Sequence, residues 1–538
     1  MSAFNGQTTV IRRCDDRVDL LAVAIPVVSD LTAGRGGEHR LVQIRRASTR
    51  HRVALCQPGR AACAERAKLE APRVPDRIPM TDVLDPSPGF TTRQVHAGDG
   101  WAEAVPRALP IFLTAGFRFD GFDDAAAHFQ TGRGFGYTRT GNPTIDALER
   151  RLANLESGAD AVFVASGQAA VSVALLGLLS AGDHVVASTH IYEGTRGLLL
   201  DNFSRLGIEV DFVDDINDAA AWRALTRPAT RVYFAETIAN ARNDVLDVAA
   251  IATVADERGI PLVVDNTFAT PYLLRPIEHG AAVVVHSASK FLAGHGAALG
   301  GVIVDDGRFD ADRSGALFPH LVEPGRGGVA SVWERHGALA RIGYLRESTA
   351  PRFGPTPSPF NAFLVAQGIE TLSLRVRAQS ANALTVARAL AAHPEVASVD
   401  YAGLPSHPHH EVAKRVLHGG FGSVFTVTLR GGEASARAFL DAVRVFTHMT
   451  HLGDVRSLVL HPGSTSHAQH SDEGRAALGV HPGTLRLSIG IEDEGDLLGD
   501  LDRALGAAAA AQRAAHENID RTDAAPRPTG EHIVPVAV

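Results

Sequence analysis

The residues best suited to covalent chemistry lie in one stretch, VVVHSASKFLAGHG, from Val283 to Gly296. Val283 to Val285 read as the end of a buried strand, and Ser287, Ser289 and Lys290 follow directly. The chain carries 52 Lys plus Arg, yet its only lysines are Lys68, Lys290 and Lys414. A guanidinium keeps its proton in a protein; an amine can lose it and attack a carbonyl. A lysine kept at a buried strand end, in a chain that otherwise writes its cations as Arg, reads as a Schiff-base lysine. Lys414, within the amphipathic HEVAKRVL, reads as a solvated surface residue.

Two further strand ends extend the constellation. Asp265 closes PLVVD, where an isolated carboxylate is costly unless paired. Beside a pyridine nitrogen it would keep that nitrogen protonated and make the ring an electron sink. Ser166-Gly167-Gln168 sits where a strand turns into a helix, and the free N–H groups of a helix start hold phosphate. Ser287 and Ser289 can add hydroxyl donors. Each feature is commonplace alone. Their order, all at C-terminal strand ends where open α/β sheets bind ligands, points to pyridoxal phosphate.

The elements that must position these groups form a regular series. Asp124 to Gln130 and Thr144 to Glu156 read as helices, the second starting behind the cap-and-proline signal Asn142-Pro143. Strands at 161–166, 184–188, 210–214, 231–237, 261–266, 281–288 and 300–305 then alternate with helices. This predicts a mostly parallel seven-stranded sheet covered on both faces, an α/β large domain. Residues 306–357 are rich in Gly, Pro and Arg and read as irregular. From about 378, a helix at 383–393, strands near 396–401, 423–429 and 484–490, and a helix at 434–443 suggest a smaller C-terminal α+β domain. A last helix precedes a tail expected to be disordered. The expected division is an extension over 1–79, an N-terminal arm over 80–145, a large domain over 146–345, a C-terminal domain over 346–515 and a tail over 516–538.

Composition narrows the class. At 538 residues the chain exceeds one ordinary core, and its net charge of -8 argues against a nucleic-acid footprint. LLAVAIPVV, at 20–28, is too short for a membrane span and is broken by Pro26. Cys14, Cys56 and Cys63 all precede residue 80, so the main body has no thiol for catalysis, metal binding or a disulfide framework. These features suit the cytoplasm. Residues 1–79 hold 14 Lys plus Arg against 8 Asp plus Glu, unlike the acidic remainder, and Met80 follows. Translation starting at Met80 would explain that contrast, with a disordered targeting arm as the alternative; an intact mass matching all 538 residues rejects the late start. His407, His409 and His410 fit no standard metal-ligand spacing and read as a solvated loop, and no metal is expected. Gly132, Gly134 and Gly136 do not follow a strand and lack the GK[ST] of a nucleotide loop.

Several motifs, in order, resemble the Cys/Met-metabolism family of pyridoxal-phosphate enzymes, fold type I. They are Tyr137-Thr138-Arg139-Thr140-Gly141-Asn142-Pro143-Thr144, Ala165 to Ala170, Glu236-Thr237 with Asn240, Asp265-Asn266-Thr267, Ser287 to Lys290, Gln367 to Leu372, and Arg486 to Glu492. The resemblance runs from about Thr92 to Ala511 and is closest to the O-acetylhomoserine sulfhydrylase branch. It implies a Schiff-base role for Lys290 and a pyridine-nitrogen partner in Asp265. Gly167, Gln168, Ser287 and Ser289 would hold the phosphate, and Thr267 and Asn240 would line the cofactor. Tyr192 would stack on the ring and assist proton transfer. Tyr137 and Arg139 would reach the phosphate of a neighbouring subunit, which implies a homodimer at least and commonly a homotetramer. Arg486, with His451 beside it, would bind the substrate carboxylate, a bidentate task suited to guanidinium.

Three departures bear on substrate. Gly194 stands where methionine γ-lyases typically carry cysteine, which counts against that activity. His451 replaces the Asn of the sulfhydrylases, and Glu193 stands where the family usually has Gly. The resemblance implies γ-replacement on O-acetyl-L-homoserine with sulfide or a small thiol. Its alternatives are cystathionine γ-synthase, O-succinylhomoserine sulfhydrylase and, further off, a catalytically silent relative. Small-molecule substrates are expected, with neither nucleic acid nor membrane as partner.

Overall fold

A computed structural model describes residues 10–11, 20–21, 88–98, 106–240 and 242–523. The chain divides into two units, Met1–Glu70 and Ala71–Val538. In the first, Val10–Ile11 pairs antiparallel with Leu20–Leu21. The expected disorder of 1–79 otherwise concerns residues outside those described.

In the second unit, apolar β-branched runs form seven strands: β1 (Asp160–Val164), β2 (His184–Ser188), β3 (Glu209–Val213), β4 (Thr230–Glu236), β5 (Leu262–Asp265), β6 (Val283–Ser287) and β7 (Gly301–Asp305). Their order across the sheet is β1-β7-β6-β5-β4-β2-β3. The run from β6 to β3 is parallel, and β7 lies antiparallel to both β1 and β6. Both faces are covered. Val186, Tyr233, Val264 and Val284 pack on one side, and Val185, Val232, Phe234, Val263 and Val283 on the other. That is period-two alternation in strands with two buried faces, so no polar face shows in the sequence.

The helix Pro143–Leu155 starts as read, with Asn142 accepting a hydrogen bond from the Thr144 N–H at 3.0 Å. The expected irregular stretch 306–357 is corrected: short helical turns fill it, including Ala311–Ser314, Pro319–Val322, Val332–His336 and Ala340–Tyr344. Phe309, Phe318, Leu321, Ile342 and Leu345 within it are buried against the sheet. Gly315 and Gly337 end two of these helices before a period can register in the sequence, whereas helical backbone runs on from Ala340 to Phe353.

A second sheet contains β8 (Val396–Asp400), β9 (Val424–Leu429), β10 (Thr447–His448), β11 (Leu458–Leu460) and β12 (Thr484–Ser488), in the order β8-β9-β12-β11-β10. The two- and three-residue strands β10 and β11 are too short for sequence periodicity to detect. Leu485, Leu487 and Ile489 face a core shared with Phe439, Leu497, Leu501 and Leu505, which leaves Arg486 on the opposite face of β12. The final helix runs to Asp523. The tail expected to be disordered begins at 516, within this helix, and residues from 524 lie outside those described. The alanine-rich run meets no proline before Pro526.

Candidate active site

The C-terminal ends of β4, β5 and β6 open into a cavity of about 430 Å³. Lys290, Asp265, Gly167, Gln168, Tyr192, Asn240, Thr267, Ser287, Ser289, His451 and Arg486 all line it. Lys290 stands three residues past the end of β6. Burial, then the nearby Arg486 charge, lowers its amine from 10.5 to about 8. About one molecule in ten then carries a neutral, nucleophilic amine at pH 7.

Glu236 and Asp265 pair in register across β4 and β5, so two carboxylates stand side by side on one face. Burial pushes the Glu236 carboxyl well up, and Asp265 pushes it further. Burial also raises Asp265, against hydrogen bonds from Thr267 and the charge of His286. Asp265 Oδ1 accepts from the Thr267 N–H at 2.9 Å. Glu236 Oε1 accepts from the Tyr192 N–H at 2.5 Å, and Oε2 from the Asn240 N–H at 3.2 Å. Glu236 thus ties two cavity-lining segments to the strand end. Glu236 stands in a motif without an expected role of its own. Its signal was the one used for Asp265, a carboxylate closing a buried strand. On the other face of the strands, Glu156 Oε1 meets His286 Nε2 at 2.5 Å and accepts from Asn266 Nδ2 at 2.8 Å. That buried group was also missed, because Glu156 is 130 residues from His286.

The helix Gly167–Leu176 begins beside Ser287. Ser166 Oγ accepts from the Ala169 N–H at 3.1 Å, and the first-turn N–H groups of Gly167 and Gln168 have no intrahelical acceptor. A Cβ on Gly167 would lie 2.5 Å from Ser287 Cβ, so the missing side chain lets the helix start meet the serine. Ser287 N–H donates to Thr267 Oγ1 at 2.9 Å. Ser289 differs from expectation in its bonding. Its hydroxyl accepts from the Gly300 N–H at 3.0 Å and donates to the Gly300 carbonyl at 3.3 Å.

Tyr192 is half exposed at the start of the helix Glu193–Gly197. A Cβ at Gly194 would fall 2.5 Å from the Tyr192 ring, so any side chain there must displace the tyrosine. Glu193 Oε1 meets His470 Nε2 at 2.9 Å. Arg486 is buried, and burial lowers it to about 10. Its Nη2 donates to the carbonyls of Thr450 and His451 at 3.3 and 3.4 Å. His451 Nδ1 lies 3.2 Å from Lys290 Nζ.

Tyr137 and Arg139 do not line the Lys290 cavity of their own chain. Arg139 lies 5.6 Å over the Tyr137 ring, donates to the Pro351 carbonyl at 2.7 Å, and borders a separate cavity of about 420 Å³. His407, His409 and His410 are not a solvated loop. His407 is buried, and the three rings contact the carbonyls of Arg242, Val245 and Ala402 at 3.1, 3.0 and 2.8 Å. These bonds, with His409 Nε2 3.6 Å from the Asp244 carboxylate and Nδ1 3.1 Å from Asn217 Nδ2, hold the turn against Asn217 and the segment that follows β4. Among the described residues no helix is long and apolar enough to cross a membrane.

This donor set fits pyridoxal phosphate. The helix start and Ser287 offer N–H and O–H donors for a phosphate. A protonated pyridine nitrogen would relieve the buried carboxylate of Asp265, and the softened amine of Lys290 can attack an aldehyde. The family model described as Cys/Met metabolism PLP-dependent enzyme matches residues 91–506. An O-acetyl-L-homoserine sulfhydrylase from Corynebacterium glutamicum is 43% identical over 77% of this chain and 96% of its own. An O-succinylhomoserine sulfhydrylase from Pseudomonas aeruginosa is 38% identical over 78% and 95%. A solved Campylobacter jejuni chain described as an O-acetylhomoserine (thiol)-lyase carries N'-pyridoxyl-lysine-5'-monophosphate. It superposes with a TM-score of 0.74 at 33% identity and covers 78% of this chain and 100% of that one.

Proposed function

This chain belongs to the Cys/Met-metabolism PLP-dependent enzymes, and from that footing we propose that it exchanges the acetoxy group of O-acetyl-L-homoserine for sulfide, forming L-homocysteine and acetate. Small thiols would serve as alternative nucleophiles. The observation that carries the reading is the meeting of Lys290, Asp265 and Arg486 in one cavity. Bound pyridoxal phosphate supplies the electron sink that makes the substrate's α- and then β-hydrogens acidic.

Each residue has a task around that chemistry. Gly167 and Gln168 N–H groups hold the phosphate, with the Ser287 hydroxyl. Ser289 joins them by turning its proton away from the Gly300 carbonyl, while it still accepts from the Gly300 N–H. Asp265 stays ionised against a protonated ring nitrogen. Thr267 and Asn240 line the cofactor, and Glu236 holds the backbones of Tyr192 and Asn240 in place. Arg486, itself buried, clamps the α-carboxylate, and its burial strengthens the pair. Lys290 takes the α-proton, and Tyr192, at the open side, assists as acid or base. Departure of acetate from the γ-carbon leaves the position that sulfide attacks.

Tyr137 and Arg139 serve the cavity of a second copy, so the working protein is a homodimer at least and a homotetramer in the fuller form. The exposed Leu113, Phe122 and Phe129 of the same arm support that assembly. The cytoplasm is the proposed location. A second reading, with an O-succinyl ester or with cysteine as nucleophile, is supported by the 38% identity to the Pseudomonas aeruginosa relative and by His451 near the clamp. The test is a product assay with O-acetyl- and O-succinyl-L-homoserine, each offered with sulfide, cysteine or methanethiol. Homocysteine from the acetyl ester and sulfide is the expected main product. Exclusive turnover of the succinyl ester overturns the first reading.

A further inference from the structure

His451 reaches the reactive lysine from the other half of the unit, on the loop between β10 and β11. Its Nδ1 lies 3.2 Å from Lys290 Nζ across 161 residues of sequence. Arg486 donates to the carbonyl of the same residue, so His451 stands between the amine and the guanidinium. The charged groups acting on the imidazole are Lys290, Asp454, Arg486 and Arg456; Asp454 is itself paired with Arg456 at 2.8 Å. The charge that acts on Lys290 is Arg486, and Glu236, Asp265 and Tyr192 line the same cavity. Burial, followed by the Lys290 charge, lowers His451 to about 4. Its ring is therefore neutral wherever Lys290 titrates. A neutral ring beside an ammonium presents a lone pair at Nδ1 and carries its proton on Nε2.

We propose that His451 is a positioning residue for the Lys290 amine, its Nδ1 accepting a hydrogen bond that holds the protonated amine over the carbon it has deprotonated. This rests on Lys290 being the acceptor of the α-proton. In that step the Cα–H bond breaks, a new N–H bond forms on Nζ, and the electron pair stays on the substrate side. The ammonium so formed is buried next to Arg486, a position that disfavours positive charge. A neutral acceptor at 3.2 Å offsets part of that cost without adding a charge that would trap the proton. An aspartate in that place would hold the proton too firmly. An apolar side chain would leave the ammonium without a partner and free to turn toward other acceptors.

Two variants separate this role from simple packing. His451→Asn keeps an acceptor, because an amide oxygen reaches about where Nδ1 lies; His451→Leu keeps bulk and removes the acceptor. If His451→Leu does not fold, His451→Ala takes its place. In the full chain freed of cofactor, the pH dependence of Lys290 acetylation by acetic anhydride, read by peptide mass, gives the amine's midpoint. The wild-type midpoint is expected near 8. It should fall by about one unit in His451→Leu and stay within about 0.3 unit in His451→Asn, the scale of one hydrogen bond to a charged group. In the cofactor-loaded protein, exchange of the α-hydrogen of L-homoserine into D2O should slow about tenfold in His451→Leu and recover in His451→Asn. Equal midpoints in all three proteins overturn the proposal, as does equal loss in both variants. A shifted midpoint in a protein that turns over no O-acylhomoserine would uphold the His451–Lys290 coupling and sink the proposed function instead.

Discussion

The ends of the large-sheet strands and the loop between β10 and β11 both feed groups into one cavity, by different means. Glu236, Asp265 and Ser287 end strands locked in continuous hydrogen-bonded ladders, so the backbone alone sets their spacing. The loop carrying His451 is pinned at a few points. Gly453 N–H donates to Ser488 Oγ at 2.9 Å, Val455 N–H to the Gly294 carbonyl at 2.9 Å, and Gln379 Nε2 to the Asp454 carbonyl at 2.8 Å. The strand ends hold the groups nearest the bond-making chemistry; β12 holds Arg486, which grips the amino acid, and the loop holds His451, which meets the Lys290 amine.

If that division is right, changes on the two sides should fail differently. Lys290→Ala should lower γ-replacement by about 10^3-fold or more and remove the visible absorbance band that added pyridoxal phosphate produces in wild type. Normal turnover in that variant would end the assignment. Arg486→Ala should raise the KM for the amino acid about 100-fold, with little change in cofactor absorbance. An effect confined to sulfide affinity would remove Arg486 from the clamp and collapse the contrast between the two regions.

The lysine should also be a burden to the bare fold. Its folded value of about 8 lies below the ordinary 10.5, so between those pH values the unfolded chain binds more protons. Stability therefore rises with pH across that window, and the penalty is fully present below about 8. In the cofactor-free protein, Lys290→Met should raise stability by about 1–3 kcal/mol at pH 7, with the gain fading by about pH 10.5. Melting temperatures at the two pH values check this; an equal gain at both would assign the effect to packing. The smallest change expected is that of Gly167→Ala. Its Cβ would press on Ser287, so affinity for pyridoxal phosphate, followed by absorbance titration, should drop about tenfold.

Much of this was legible in residue order. The Val- and Ile-rich runs announced the seven strands because a doubly covered parallel sheet needs apolar residues on both faces. Asp265 and Lys290 were legible because a carboxylate and a rare lysine closed two of those runs. Residues 306–357 were not, since the helices over 311–336 are four or five residues long and the one from Ala340 to Phe353 passes through a π-type turn and carries Gly343 and Pro351. Glu236 went without a role because its neighbour Asp265 is adjacent only through strand pairing. Tyr137 and Arg139 were legible as a motif expected to serve a neighbouring subunit, and they do not line the Lys290 cavity of their own chain.

The sequence by itself determined the chemistry on offer: one amine at a buried strand end, a carboxylate on the next strand, a helix start able to bind phosphate, and the order of elements that carry them. Those are local properties, set by side-chain type and strand and helix period. Only the tertiary structure decided that Glu236 stands beside Asp265, that Ser289 is bonded to Gly300, and that His451 touches Lys290. The reason is physical. Strand order and the packing of the two sheets are chosen by burial summed over the whole chain, and contacts between residues 161 apart leave no periodic trace in either segment.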